Sequence, residues 1–266
     1  MRHPSLTPAL ACLPVVLAST AAQGQNAQPA TPTPPFSHAV AVTSGVSFTD
    51  RLDATASPRP YAGVGTAAGI RYRYEPGKWS LTAEGSGTRA SYQPRDNLAG
   101  SENAMSGGLA VSVDREAATV GSTEFRLGLT LDARAELLEH RYADVSSTLS
   151  SFVTGFATLG PTATVRRGLG TGQVSANVVL PLVGLAHQPY ANTRQEREPF
   201  RVRAMGLSAL RGALFGARYE SSITSRFGVV AEYHLRAFDY TGGWRTRSFT
   251  NTTALGIVTR FGAKSR

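Results

Sequence analysis

Cysteine is almost missing from this chain: Cys12 is the only one, and it falls in a stretch expected to be removed on export. The folded part is therefore left without a disulfide framework, a thiol nucleophile or a Cys-ligated metal. Lysine is nearly as scarce, since Lys78 and Lys264 are the only lysines among 27 basic side chains, and the net charge of +9 is carried by arginine. Those arginines recur at alternate positions along short apolar segments, whereas a nucleic-acid footprint would cluster them. No run reaches the ~20 apolar residues that a membrane helix needs, and no segment holds a helical period for long. The five histidines lack metal-ligand spacing, so neither a metal nor a cofactor is expected.

What the chain does contain begins with MRHPSLTPALACLPVVLASTAA, one Arg followed by a short apolar stretch and small residues, which predicts a cleaved secretory signal over residues 1–22. Residues 23–35 are polar and Pro-rich, the composition of a disordered leader. Residues 36–262 suit one domain, with a short tail at 263–266. Export also removes nucleic acid from the expected partners.

The domain is dominated by period two. In EFRLGLTLDARAE, Phe125, Leu127, Leu129, Leu131, Ala133 and Ala135 share one parity, and Glu124, Arg126, Thr130, Asp132, Arg134 and Glu136 share the other. That is a strand with one greasy and one charged face. Residues 226–239 repeat it, with Phe227, Val229, Ala231, Tyr233 and Leu235 set against Gly228, Glu232, His234 and Arg236. The same reading places ten strands, near 37–49, 61–75, 79–92, 105–114, 124–136, 150–165, 172–187, 200–220, 226–239 and a last one ending at Phe261. Connections near 76, 118, 168 and 223 are mostly short, and those near 55, 98, 145, 194 and 243 are longer and polar. The expected fold is all-β, an antiparallel up-and-down transmembrane barrel of about ten strands. Beside the short connections the apolar parity offers Tyr72, Tyr74, Trp79, Phe125, Phe215, Tyr219, Phe227 and Phe261 as a membrane-interface girdle.

The signal, the alternating strands and a last strand closing on Phe261 resemble bacterial outer-membrane β-barrels. One departure is that Gly262-Ala263-Lys264-Ser265-Arg266 follow the aromatic. The resemblance implies residence in the cell outer membrane, contact with its lipid and lipopolysaccharide, and insertion by the barrel-assembly machinery. The acidic pairs and Asp-x-His element of ten-stranded omptin proteases have only Asp96 and His187 to stand for them here, and the His/Ser spacing of lipid A deacylases is missing.

Charges on the inward parity form the expected lumen network: Arg71, Arg73, Glu84, Glu124, Arg126, Asp132, Arg134, Glu136, Glu232, His234, Arg236 and Arg260. Buried charges must pair, and Arg forks fit carboxylates. The resulting expectation is a non-enzymatic structural or surface-interaction scaffold with a plugged lumen, long outward loops and no catalytic residues. Three alternatives are kept open: a narrow pore for small solutes, an outer-membrane enzyme acting on lipid or peptide in which Glu232 and His234 form an acid/base couple, and a soluble periplasmic barrel with the faces reversed. Loop residues Arg95, Arg194, Arg197 and Arg201 offer contacts to lipid phosphates, set against simple solvation beside Asp96, Glu196 and Glu198.

Overall fold

A computed structural model describes residues 36–53, 57–95, 100–142, 149–187, 202–241 and 245–263. Almost all of them lie in strands: β1 (Phe36–Asp53), β2 (Ser57–Tyr74), β3 (Trp79–Pro94), β4 (Gly100–Val120), β5 (Thr123–Tyr142), β6 (Leu149–Leu169), β7 (Gly172–Val179), β8 (Val183–His187), β9 (Val202–Met205), β10 (Leu210–Ser222), β11 (Phe227–Tyr240) and β12 (Thr246–Ala263). Every pairing is antiparallel, β6 pairing with both β7 and β8 and β7 with β10, and β1 closes on β12 from Phe36↔Ala263 to Asp53↔Thr246. β7 with β8, and β9 with β10, are single staves interrupted midway, so the cylinder is an up-and-down barrel of ten staves. Closure leaves no sheet edge with unpaired backbone groups.

Short turns sit at one end, and three place a glycine in the left-handed region, Gly77, Gly121 and Gly170, at φ 63°, 60° and 57°. Tight reversals between long strands need that conformation, which other residues adopt only with strain.

The interruptions explain two places where the alternation is irregular. Leu180 and Leu182 are exposed on the outer wall, yet so are Val183 and Leu185, a slip of one residue. The slip falls where β6 leaves β7 at Thr162↔Val179 and meets β8 at Leu159↔Val183. Pro161 lies opposite this gap, where its missing N–H costs the ladder nothing, and its carbonyl still accepts from Leu180 at 3.1 Å. On the next stave the turn at 207–209 separates β9 from β10, and the amides of Ala209 and Leu210 both donate to Gly206 O.

Elsewhere the faces separate cleanly. Val42, Val46, Val64, Ile70, Leu109, Leu129, Leu131, Leu255 and Ile257 are exposed on the outside, while Thr43, Ser47, Asp114, Arg126, Asp132, Arg218, Glu220, Glu232 and Arg260 are buried inside. This is the inverse of a water-soluble protein, and it suits a wall that faces hydrocarbon.

If hydrocarbon surrounds the wall, Leu131→Arg will lower folding stability in lipid vesicles by about 2–4 kcal/mol, the cost of a cation on the lipid face. A Thr119→Arg change, at the exposed turn end of β4, will leave stability nearly unchanged. Urea titration of the two vesicle-inserted variants compares them.

Candidate functional site: the lumen

Alternation drives the inward charges of ten staves into one narrow volume, where they meet partners far away in sequence. At the short-turn end Arg126 holds Asp114 and Glu124, and donates to Lys78 O at 2.9 Å. Arg166 reaches across to Glu75 at 2.5 Å. Glu220 gathers three guanidiniums, from Arg260 (2.5 Å), Arg218 (3.1 Å) and Arg73 (3.7 Å). One tier higher Arg71 donates to Glu84 at 2.5 Å and lies 3.4 Å from Glu232, which is also held by Arg218. His234 Nε2 sits 3.5 Å from the second oxygen of Glu232.

At mid-height Arg236 of β11 forks onto Asp132 of β5 through two bonds of 2.7 and 2.8 Å. These staves stand four apart around the ring of ten, so the pair spans the lumen. With Arg134, Thr88, Leu214 and Thr250 it separates a chamber of about 210 Å³ on the short-turn side from one of about 70 Å³ above it.

Toward the long-loop end the filling changes. Arg51 links Glu136 at 2.9 Å and Glu102 at 3.4 Å, but most of the material is apolar. Tyr61, Ala90, Tyr92, Ala104 and Leu138 form one buried cluster. Ala186, Met205, Leu210 and Tyr240 form another, against which Phe156 and Phe238 pack. Phe156 meets Phe238 edge-on, with ring centres 4.7 Å apart. The network expected from sequence thus fills the lower and middle lumen, and aromatic and aliphatic packing fills much of the upper part.

Each charged residue singled out from sequence faces the lumen, though Arg134 has no ion pair among the described residues and its Nε has no hydrogen-bond partner. Sequence reading missed Arg51, Glu102 and Arg166, each one to three residues beyond the expected end of its strand. Following the parity would have found them: Ser47, Thr49 and Arg51 continue one inward row, and Thr162, Thr164 and Arg166 another.

Outside, at the short-turn end, the His38 ring stacks on Tyr74 at 4.7 Å and Phe261 at 5.3 Å, and its Nδ1 is hydrogen-bonded to Tyr72 Oη at 2.7 Å. Arg115 lies over the exposed Trp79 ring at 5.6 Å. Phe125, Tyr219 and Phe227 are exposed near the same turns. Phe215 lies elsewhere, in mid-strand opposite Leu235 and Val178 and beside Tyr233. Arg95 is bound to Asp50 at 2.5 Å, while Arg194, Arg197, Arg201, Asp96, Glu196 and Glu198 lie outside the described residues. Among the described residues no three His, Cys, Asp or Glu side chains converge as a metal site.

The chain has the fold of the bacterial outer-membrane β-barrels. It is similar to the outer membrane protease OmpT from Escherichia coli, with a TM-score of 0.51 and 10% identity over 85% of this chain and 97% of that one. It is also similar to the translocator domain of the autotransporter NalP from Neisseria meningitidis (TM-score 0.48, 10% identity, 93% and 94% coverage) and to Ail of Yersinia pestis (TM-score 0.37, 9% identity, 84% and 99%). No protein-family model and no curated protein sequence matches.

Glu220 is shared by three lumenal arginines and is the one carboxylate paired with Arg260 among the described residues, so Glu220→Ala will cost about 3–5 kcal/mol by leaving that buried cation unpaired. Glu220→Gln, which keeps the acceptor oxygen, will recover part of that loss. Equilibrium unfolding in urea, followed by tryptophan fluorescence, measures both.

Proposed function

We propose that this protein is a non-enzymatic scaffold of the outer membrane, held in lipid by its apolar wall, plugged along its axis and presenting its longer connections at the outer surface. The observation that carries the reading is the Asp132–Arg236 fork across the lumen at mid-height, with the Tyr, Phe and Leu packing of the upper clusters beyond it. A conducting pore needs a continuous wet path, and these two barriers lie in series across it. Outer-membrane lipid, including lipopolysaccharide, is the surrounding partner, and the barrel-assembly machinery inserts the chain after its signal is removed.

The enzyme alternative fares worse on the same geometry. Glu232, the one acid beside a lumenal histidine, has Arg218 and Arg71 on Oε1 and His234 near Oε2. A carboxylate so occupied is poorly placed to take a proton from a substrate. Likeness to OmpT at 10% identity supports the fold and brings no proteolysis with it.

Planar-bilayer recording on protein extracted folded from outer membranes tests the reading. Inserted wild-type protein will give no discrete conductance steps. Steps that change when Asp132 or Arg236 is neutralised would make it a narrow pore and overturn the proposal.

A further inference from the structure

Among the lumenal arginines one stands apart. Arg51, Arg71, Arg73, Arg126, Arg166, Arg218, Arg236 and Arg260 each have a carboxylate within ion-pair distance. Arg134 has none among the described residues, and its Nε is buried without a hydrogen-bond partner. The carboxylates around it are already engaged: Asp132 by both terminal nitrogens of Arg236, Glu136 by Arg51 and Glu84 by Arg71. Two guanidiniums therefore share one aspartate at the partition.

An unpaired cation inside a barrel is costly. Water can satisfy its N–H groups, but only an anion cancels the charge. The guanidinium edge, with parallel donors, matches two oxygens of a phosphate or carboxylate group better than it matches a spherical ion. The surroundings leave room for such a group. Arg134 lines the 210 Å³ chamber together with Ser86, His234 and Arg236, and that volume far exceeds the ~10–15 Å³ needed by one water. The wall beside it is Gly108, where a Cβ would stand 3.4 Å from Arg134 Nε and 3.3 Å from Ser86 Oγ. Gly108 is not itself part of the chamber lining, but a side chain there would press on both groups.

We infer that the chamber below the partition is a binding site for one small oxyanion, held by the Arg134 guanidinium with Ser86 and Arg236 beside it. The site is a property of the lumen and stands whether or not the barrel conducts.

Equilibrium dialysis of the folded full-length protein in a non-ionic detergent, with labelled inorganic phosphate and a constant sodium chloride background, tests the inference. Wild-type protein will bind about one phosphate per chain. Arg134→Gln will bind at least about tenfold more weakly, the loss expected for a charge-assisted contact. Gly108→Ala, which retains every charge and crowds only the space beside Arg134, will also weaken binding, and Arg115→Gln on the outer wall will not. Unchanged binding by a folded Arg134→Gln protein, displacement of phosphate by equimolar chloride, or no saturable binding by wild type would overturn it.

Discussion

Closure of the sheet is the constraint on which everything else in this molecule depends. Backbone N–H and C=O groups cannot be left unpaired in hydrocarbon, and the β1–β12 ladder from Phe36 to Asp53 removes the last edge. Once the sheet is closed, each strand has one face toward lipid and one toward the axis, with no third choice. Parity then decides chemistry: Leu127, Leu129 and Leu131 face outward, so Arg126, Thr130, Asp132 and Arg134 must face inward. A shift of one residue in any stave would exchange the two sets. The slip at Leu180-Pro181-Leu182 is placed where the ladder is already broken.

Ten staves enclose somewhat more than the eight whose interior side chains just fill, and the extra room is taken by reach. Arginine is long enough to cross it. Arg236 to Asp132, Arg166 to Glu75, Arg73 to Glu220 and Arg51 to Glu136 each join staves four apart on the ring. Lysine would reach nearly as far but offers no planar fork for two carboxylate oxygens, and Lys78 enters the network only through its backbone carbonyl. Higher up, where Tyr92 packs over Gly63 and Phe156 against Phe238, flat rings fill the space with no need for counter-charges. The filling therefore grades from ionic at the short-turn end to largely aromatic at the other.

Much of this could be read from the chain beforehand, because parity is a local property. The ten staves, the short-turn end and the inward placement of Arg71, Glu84, Asp132, Glu232 and Arg236 all follow from counting in twos. What could not be read is of two kinds. Strand ends were drawn where polar residues begin, so Arg51, Glu102 and Arg166 fell into connections although their ladders continue through them. Partner choice is not local at all. Asp132 and Arg236 are separated by 104 residues, and nothing in either strand names the other. Tyr61, Tyr92, Phe238 and Tyr240 share the inward parity of their strands, but parity alone does not say that rings rather than charges fill the upper lumen.

The charge balance inside the barrel is best judged tier by tier. Counted along the whole axis, acids and bases nearly cancel, and a lumen described by that sum would look complete. Coulomb attraction and hydrogen bonding act over a few ångströms, however, so each guanidinium is balanced only by the carboxylates of its own tier. Asp114 and Glu124 share Arg126 below, and Glu102 and Glu136 share Arg51 above. Between them Arg236 takes both oxygens of Asp132, and Arg134 beside it has no carboxylate within ion-pair distance among the described residues. Rigid staves hold these tiers apart, so an excess at one height cannot relax into a deficit at another. Arg134 is left beside the chamber that it lines, which is where a mobile anion lowers the energy most.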